Sequence, residues 1–442
     1  MVWRGALAAL AVLVASALLR LAFGLPWILD LLAGRLLLLL PGALFSFLLD
    51  HLLAAAKPLF LAGLAAGWLL AGAGIGWLIE RWRQHRAPAT GRSETPRLGR
   101  RALWGAGAAV AGAAALVALL GRGRHGAFAT ERADTGEGAS PAATDIPDPI
   151  TPTGRFYVVS KNFIDPSIDP RRWRLEIGGL VGRPLALSLE ALKALPIAPV
   201  EQVTTLCCIS NPVGGGFVST ARWRGLPLSE LLDYVQAKPG ASWLHCWAAD
   251  GYSDGMATAF AREPGVLVAW EMNGAPLTRT HGAPVRLLVP GRYGLKSVKW
   301  LTRMELLDAP AEGFWRTQGW SEGAEVNTFA RLDWPDGRSL LRPGAVHLRG
   351  IAFAGRRGIM AVEVSLDSGR TWAAAQLEPL PDASQIAAWV PWTYLWPAVP
   401  GAYTAVVRAI DGTGAVQDAT RRPPYPSGST GYHTVSLRVV GG

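Results

Sequence analysis

Two of the three cysteines of the chain stand side by side in Thr205-Leu206-Cys207-Cys208-Ile209-Ser210-Asn211. An apolar run precedes them and the turn-forming Pro212-Val213-Gly214-Gly215-Gly216 follows. A thiolate placed where a strand gives way to a tight loop is suited to bind a soft transition metal. Position alone leaves the alternative of a buried core cysteine open. Three cysteines, two of them adjacent and Cys246 far away, do not build a disulfide framework. The sequence has neither a Cys-x-x-Cys zinc pattern nor a Cys-x-x-Cys-His haem attachment, and it lacks a nicotinamide glycine fingerprint and a phosphate loop.

The elements that must position these thiols read as an α+β mixture without a βαβ repeat. Trp173–Ile177 alternates and turns at Gly178-Gly179, and Ser188 caps a short helix over 188–195. Val203–Cys208 reads as an apolar strand, Leu228–Val235 as a helix, and Val266–Trp270 and Val285–Val289 as buried strands.

The heptad, followed by Trp223-Arg224-Gly225-Leu226-Pro227-Leu228, resembles the molybdopterin-binding domain of the sulfite oxidase family. So do Phe156–Asn162, Glu271–Leu277, His281–Arg286 and Pro290–Trp300, and the likeness covers about residues 150–440. It implies a molybdenum-molybdopterin cofactor and Cys208 as the protein's ligand to the metal, while no haem-attachment motif or flavin fold is visible, so no haem or flavin is expected. It further implies cofactor contacts from Asn162, His281, Arg286, Ser297 and Lys299, with Lys161 a weaker candidate. The cofactor's phosphate and polar pterin need cations and amide-type partners, and a charge inside an apolar strand needs a counterpart. Tyr252 matches a tyrosine on the substrate side of the metal, where its phenol could bond an oxyanion or help move a proton.

One departure limits what the likeness carries over. The family follows its Cys-x-x-Asn segment with arginines that hold an anionic substrate, whereas Pro212 and Val213 follow Asn211. Arg222 and Arg292 are candidates to replace them. The expected reaction is two-electron oxygen-atom transfer on a small oxyanion, with electrons leaving to a separate carrier such as a cytochrome. The alternative is reduction of a sulfoxide-type substrate at the same site. A third reading is a non-catalytic binding protein on this fold.

The rest of the chain tethers and extends this domain. Residues 1–120 are rich in Leu, Ala and Gly, with apolar segments at about 5–24, 58–79 and 102–120, each near the twenty residues that span a bilayer. Residues 25–57 read as interfacial helices, or alternatively as a fourth span. Half of the net charge of +10 comes from the 80–101 loop, which holds seven arginines and two glutamates. That loop accounts for the basic balance without nucleic acid and places itself in the cytoplasm, so everything after residue 121 lies outside it. Arg100-Arg101 before the third segment reads either as an internal twin-arginine export signal or as two more positive-inside arginines. Residues 121–150 form a linker and 151–325 the molybdopterin-binding domain. Residues 326–442 read as an all-β immunoglobulin-like sandwich. There Met360, Val362, Val364 and Leu366 alternate, Asp367-Ser368-Gly369 turns the chain, and 403–410 and 433–440 supply further strands. The Val364–Trp372 run resembles the family's dimerisation domain, which makes a homodimer possible.

Overall fold

The computed structural model describes residues 2–23, 62–82, 149–162, 165–378 and 385–441. They fall into two compact units, one holding the N-terminal helices and the 160–165 segment, the other the rest.

In the first unit, helix α1 (Val2–Phe23) packs on helix α2 (Ala62–Trp82). Small residues set the approach: a Cβ on Gly72 would lie 2.6 Å from that of Ala9 and 2.7 Å from the Gly5 carbonyl. Trp68 donates its indole N–H to the Ala9 carbonyl at 3.1 Å. Ala9, Leu13, Ala65 and Leu69 are buried between the helices, while Leu7, Val12, Leu70, Ile75 and Leu78 point outward. Small residues inside and large apolar ones outside are what helix association in lipid selects. Of the two, α2 is long and apolar enough to cross a membrane, and the apolar part of α1 is the shorter Gly5–Ala17. The expected third span, the interfacial region, most of the basic loop with Arg100-Arg101, and the linker up to residue 148 lie outside the described residues.

The second unit begins with two sheets. One orders Leu185–Leu187, Leu175–Gly179, Leu301–Leu307, Trp243–Ala248 and Ser253–Ala257, and its single parallel pair, Leu175–Gly179 with Leu301–Leu307, joins the start of the domain to its end. The other orders Val200–Cys207, Val218–Pro227, Leu267–Met272 and Ala275–Pro276, with Arg286–Leu288 paired to Leu267–Met272. Helix α3 (Leu189–Lys193) starts where Ser188 accepts from the Ala191 N–H, as its sequence requires. Helix α4 (Leu228–Tyr234) buries Leu228, Leu231 and Leu232. The main core gathers Leu175, Ile177, Leu244, Val268, Leu287 and Met304 from both sheets.

Strands from Phe329 to Val439 form the expected sandwich as a four-stranded and a five-stranded sheet. Leu348, Val362, Val364, Trp392, Val407 and Leu437 fill the space between them. Met360 departs from the expected alternation: it is 57% exposed near the start of its strand. Ser368 and Gly369 both adopt positive φ (65° and 86°), the conformation a tight hairpin turn needs.

The sandwich also reaches back to the strand that ends at Cys207. Ile386 donates to the Val203 carbonyl at 2.9 Å, and Thr205 donates to that of Ala387 at 3.0 Å. This short parallel pairing covers an edge that would otherwise expose unpaired backbone groups.

Candidate active site

Cys207 closes the strand Val200–Cys207, and Cys208 is the first residue beyond it. The Cys208 N–H donates to the Phe217 carbonyl at 2.9 Å, and the Asn211 N–H donates to that of Cys208 at 3.0 Å, which bends the chain sharply. The Asn211 side-chain oxygen accepts from the Phe217 N–H at 2.8 Å and closes the loop.

The two thiols face opposite surroundings. Cys207 is buried among Ile209, Val218, Tyr293, Trp320, Phe353 and Trp389, and burial pushes its pKa far up. Cys208 is half-buried and outside every apolar cluster, with Sγ 3.0 Å from the Ser210 hydroxyl. Burial raises its pKa too, but the Ser210 hydrogen bond and the Lys299 charge work against that rise. A thiol that is reachable and has help toward the thiolate is the one suited to metal.

Arg286, His281, Ser297 and Lys299 come together on neighbouring turns. Arg286 is 4% exposed. It donates to the carbonyls of His281 (3.1 Å), Ser297 (3.2 Å) and Leu287 (3.4 Å), and its guanidinium lies over the Trp223 ring. Among the described residues no carboxylate pairs with it. Burial lowers its pKa only to about 10, so it stays charged. Lys299 donates to the Thr280 (3.0 Å) and Val159 (3.3 Å) carbonyls. Ser297 accepts from the Val289 N–H at 3.0 Å. His281 Nε2 lies 3.1 Å from the Thr153 carbonyl, which fixes the proton on that nitrogen, and burial lowers its pKa to about 4. Gly282, at φ +102°, lets this turn approach, since a Cβ there would lie 2.9 Å from that of Lys299. A buried, carboxylate-free guanidinium beside neutral donors fits an anionic, polar cofactor.

Tyr252 follows a turn in which Asp250 accepts from the Tyr252 N–H at 2.9 Å. Its phenol donates to the Leu295 carbonyl at 2.7 Å, with Asp254 at 3.5 Å. Burial, then the charges of Asp254 and Asp250, hold its pKa well above the ordinary range, so it is a neutral donor. Lys161 donates to the Asn162 side chain at 3.2 Å, and both belong to the 160–165 segment of the other unit.

Several residues escaped the sequence. Lys296 and Asp254 form an ion pair at 2.9 Å with side chains 5% and 6% exposed. Lys296 stands in Arg292-Tyr293-Gly294-Leu295-Lys296-Ser297-Val298-Lys299, where nothing local singles it out from the neighbouring cations. Tyr157 places its hydroxyl where a Cβ on Gly294 would meet it at 2.8 Å, beside the Cys207 carbonyl. Arg331, from the sandwich, donates to the Gly215 carbonyl at 2.7 Å. Of the substitutes suggested for the missing arginines, Arg222 pairs with Glu201 (3.3 Å) and Arg292 with Glu325 (3.5 Å).

Residues 162–315 match the oxidoreductase molybdopterin binding domain and residues 334–423 the Mo-co oxidoreductase dimerisation domain. Chicken sulfite oxidase is 30% identical over 328 residues, 62% of this chain and 69% of the relative. The chain belongs to the sulfite oxidase family. It carries that family's oxidoreductase molybdopterin binding domain, the domain that takes a molybdenum-molybdopterin cofactor. Mouse mitochondrial sulfite oxidase is 31% identical over 341 residues, 66% of this chain and 62% of that protein, so the chain spans about three fifths of that relative's length. A Neurospora crassa NADPH nitrate reductase is 31% identical over 268 residues, 47% of this chain and 27% of the relative. The sulfane dehydrogenase SoxCD of Paracoccus pantotrophus shares the fold, with a TM-score of 0.57 at 22% identity over 65% of this chain and 81% of that one.

Proposed function

We propose that this family member is a membrane-tethered enzyme transferring an oxygen atom and two electrons to or from a small extracytoplasmic substrate. The observation that carries the reading is the half-buried Cys208 thiol outside the core, in a domain whose one carboxylate-free buried cation is Arg286 among the described residues. Bound molybdenum-molybdopterin supplies the redox change and the oxygen transfer. Cys208 contributes the thiolate that holds the metal. Arg286 and Lys299 attract the phosphate, and Ser297 and neutral His281 offer hydrogen bonds to the polar rings. For Asn162 and Lys161 the same role rests on resemblance alone. Tyr252 offers a neutral phenol on the substrate side and holds its proton at ordinary pH.

Domain limits of 151–325 and 326–442 are supported by family matches that fall within them, at 162–315 and 334–423. The apolar helix Ala62–Trp82 supports a tether and the basic loop after it a cytoplasmic side, which leaves the catalytic domain outside. Electrons pass to or from a separate carrier such as a cytochrome, and the dimerisation-type domain supports a homodimer. The test is molybdenum content together with dye-linked turnover of the purified chain. One metal per chain and saturable turnover, both lost in Cys208→Ser, support the reading; a folded, correctly exported, metal-free protein sinks it.

A further inference from the structure

Tyr157 is tied to both the Cys208 strand and the Arg286 turn. Its N–H donates to the Ser219 hydroxyl at 3.1 Å, and Ser219 pairs with Leu206 in the hairpin whose first strand ends at Cys207. Phe156 stacks on the Tyr157 ring at 5.4 Å and makes edge contacts with Trp223 (5.6 Å) and His281 (5.4 Å). Trp223 is the ring beneath the Arg286 guanidinium. At the far end of the side chain, the hydroxyl stands 2.8 Å from where a Cβ on Gly294 would lie, and that Cβ would be 3.4 Å from the Cys207 carbonyl oxygen. Gly294 does not occupy the left-handed region, so its backbone does not call for glycine. What the missing Cβ provides is room for the phenol.

That phenol has nothing to bond. The Tyr157 side chain is half-buried, and among the described residues its hydroxyl has no hydrogen-bond partner. Its polar neighbours are engaged: Cys208 with Ser210, Tyr252 with the Leu295 carbonyl, Ser297 with the Val289 N–H and His281 with the Thr153 carbonyl. Burial and the nearby thiols Cys208 and Cys207 hold the phenol well above its ordinary range, and Arg286 opposes them, so the group keeps its proton. A donor withdrawn from water without an acceptor is costly, and the cost is recovered when a ligand supplies the acceptor.

We propose that Tyr157 is a further cofactor-contacting residue, whose phenol O–H donates to the sulfur-bearing part of molybdenum-molybdopterin beside Cys208 and makes the metal easier to reduce. This deepens the proposed function and rests on it. A hydrogen bond to a metal-bound sulfur draws electron density from it and so favours the electron-rich state of the metal. A phenol that serves packing alone would behave differently, since the ring would then matter and the oxygen would not.

The test is Tyr157→Phe in the full-length holoenzyme, which deletes the oxygen and keeps the ring. The Mo(V) paramagnetic signal is followed through a potentiometric titration, with molybdenum content and thermal melting read on the same samples. Reduction should become about tenfold less favourable, the scale of one hydrogen bond to a charged acceptor and about 59 mV for a one-electron couple. Gly294→Ala sets a methyl group against the hydroxyl and should shift the potential in the same direction. In the Tyr157→Phe background it should add nothing, because the atom it meets is gone. Loss of metal from a Tyr157→Phe that melts like cofactor-free wild type also supports the contact. An unchanged potential at full molybdenum content overturns this inference and leaves the proposed function standing. Wild-type protein without molybdenum overturns both.

Discussion

The guanidinium carbon of Arg286 lies 5.0 Å from the centre of the Trp223 ring, and both side chains are buried. The ring face and three carbonyls steady the charge but do not neutralise it. A charge kept this way is costly until an anion arrives. Arg286→Met is therefore expected to lower molybdenum retention by roughly 30–100-fold, the equivalent of about 2–3 kcal/mol of charge-assisted bonding. The cofactor-free variant should melt no lower than cofactor-free wild type, because a buried charge has been removed. Arg286→Lys should recover part of the retention, since it restores charge without the fork. Metal analysis and thermal melting check all three.

The diverging thiols allow a paired experiment. Cys208→Ser should cut turnover by orders of magnitude with little change in stability, because its sulfur lies outside the packed clusters. Cys207→Ser should keep most turnover and lose about 1–3 kcal/mol of stability, because it sets a hydroxyl among Tyr293, Trp320 and Phe353. Turnover retained by Cys208→Ser and lost by Cys207→Ser would exchange their roles.

His281 gives a pH dependence with a definite sign. Its folded pKa is about 4 against an ordinary value of 6.5, because burial disfavours the charged ring. Between those values the unfolded chain binds more protons than the folded one, so stability falls as pH drops from about 6.5 to 4 and then levels off. The full loss is on the order of 3 kcal/mol. Cofactor-free His281→Gln should show a flatter stability profile across that window by denaturant titration.

Local chemistry was legible in the sequence and long-range pairing was not. The Ser188 cap, the Asp367-Ser368-Gly369 turn and the strand into Cys207-Cys208 each depend on residues within a few positions, and each appears as expected. Alternation identified the strand holding Met360 but not that Met360 itself lies exposed while Val362 and Val364 are buried. The covering of the Cys207 strand by residues 385–389 joins positions some 180 apart, and Arg331 binds Gly215 across 116. Neither has a periodicity or motif to announce it. The charge type of Arg222 and Arg292 was visible in the sequence, and their carboxylate partners Glu201 and Glu325 were not.

The same reason hid the pair of Lys296 and Asp254, 42 residues apart, and that pair yields the last prediction. Burial lifts the Asp254 carboxyl above its ordinary range, and the Lys296 ammonium, also bonded to the Gly255 carbonyl at 2.8 Å, pulls it back. Asp254 is in turn 3.5 Å from the Tyr252 hydroxyl, and the neighbour of Lys296, Leu295, accepts that hydroxyl at 2.7 Å. Removing one partner leaves a buried charge unpaired, so Lys296→Met should cost about 3–5 kcal/mol, and exchanging both partners for apolar residues of similar size should restore most of it. If the pair positions Tyr252, the stable double variant will still bind substrate with an ordinary KM while its kcat falls and its pH profile changes. If the pair only holds the strands together, kcat will return with stability. A double-mutant cycle with Tyr252→Phe decides between them, because a positioning role makes the two losses non-additive.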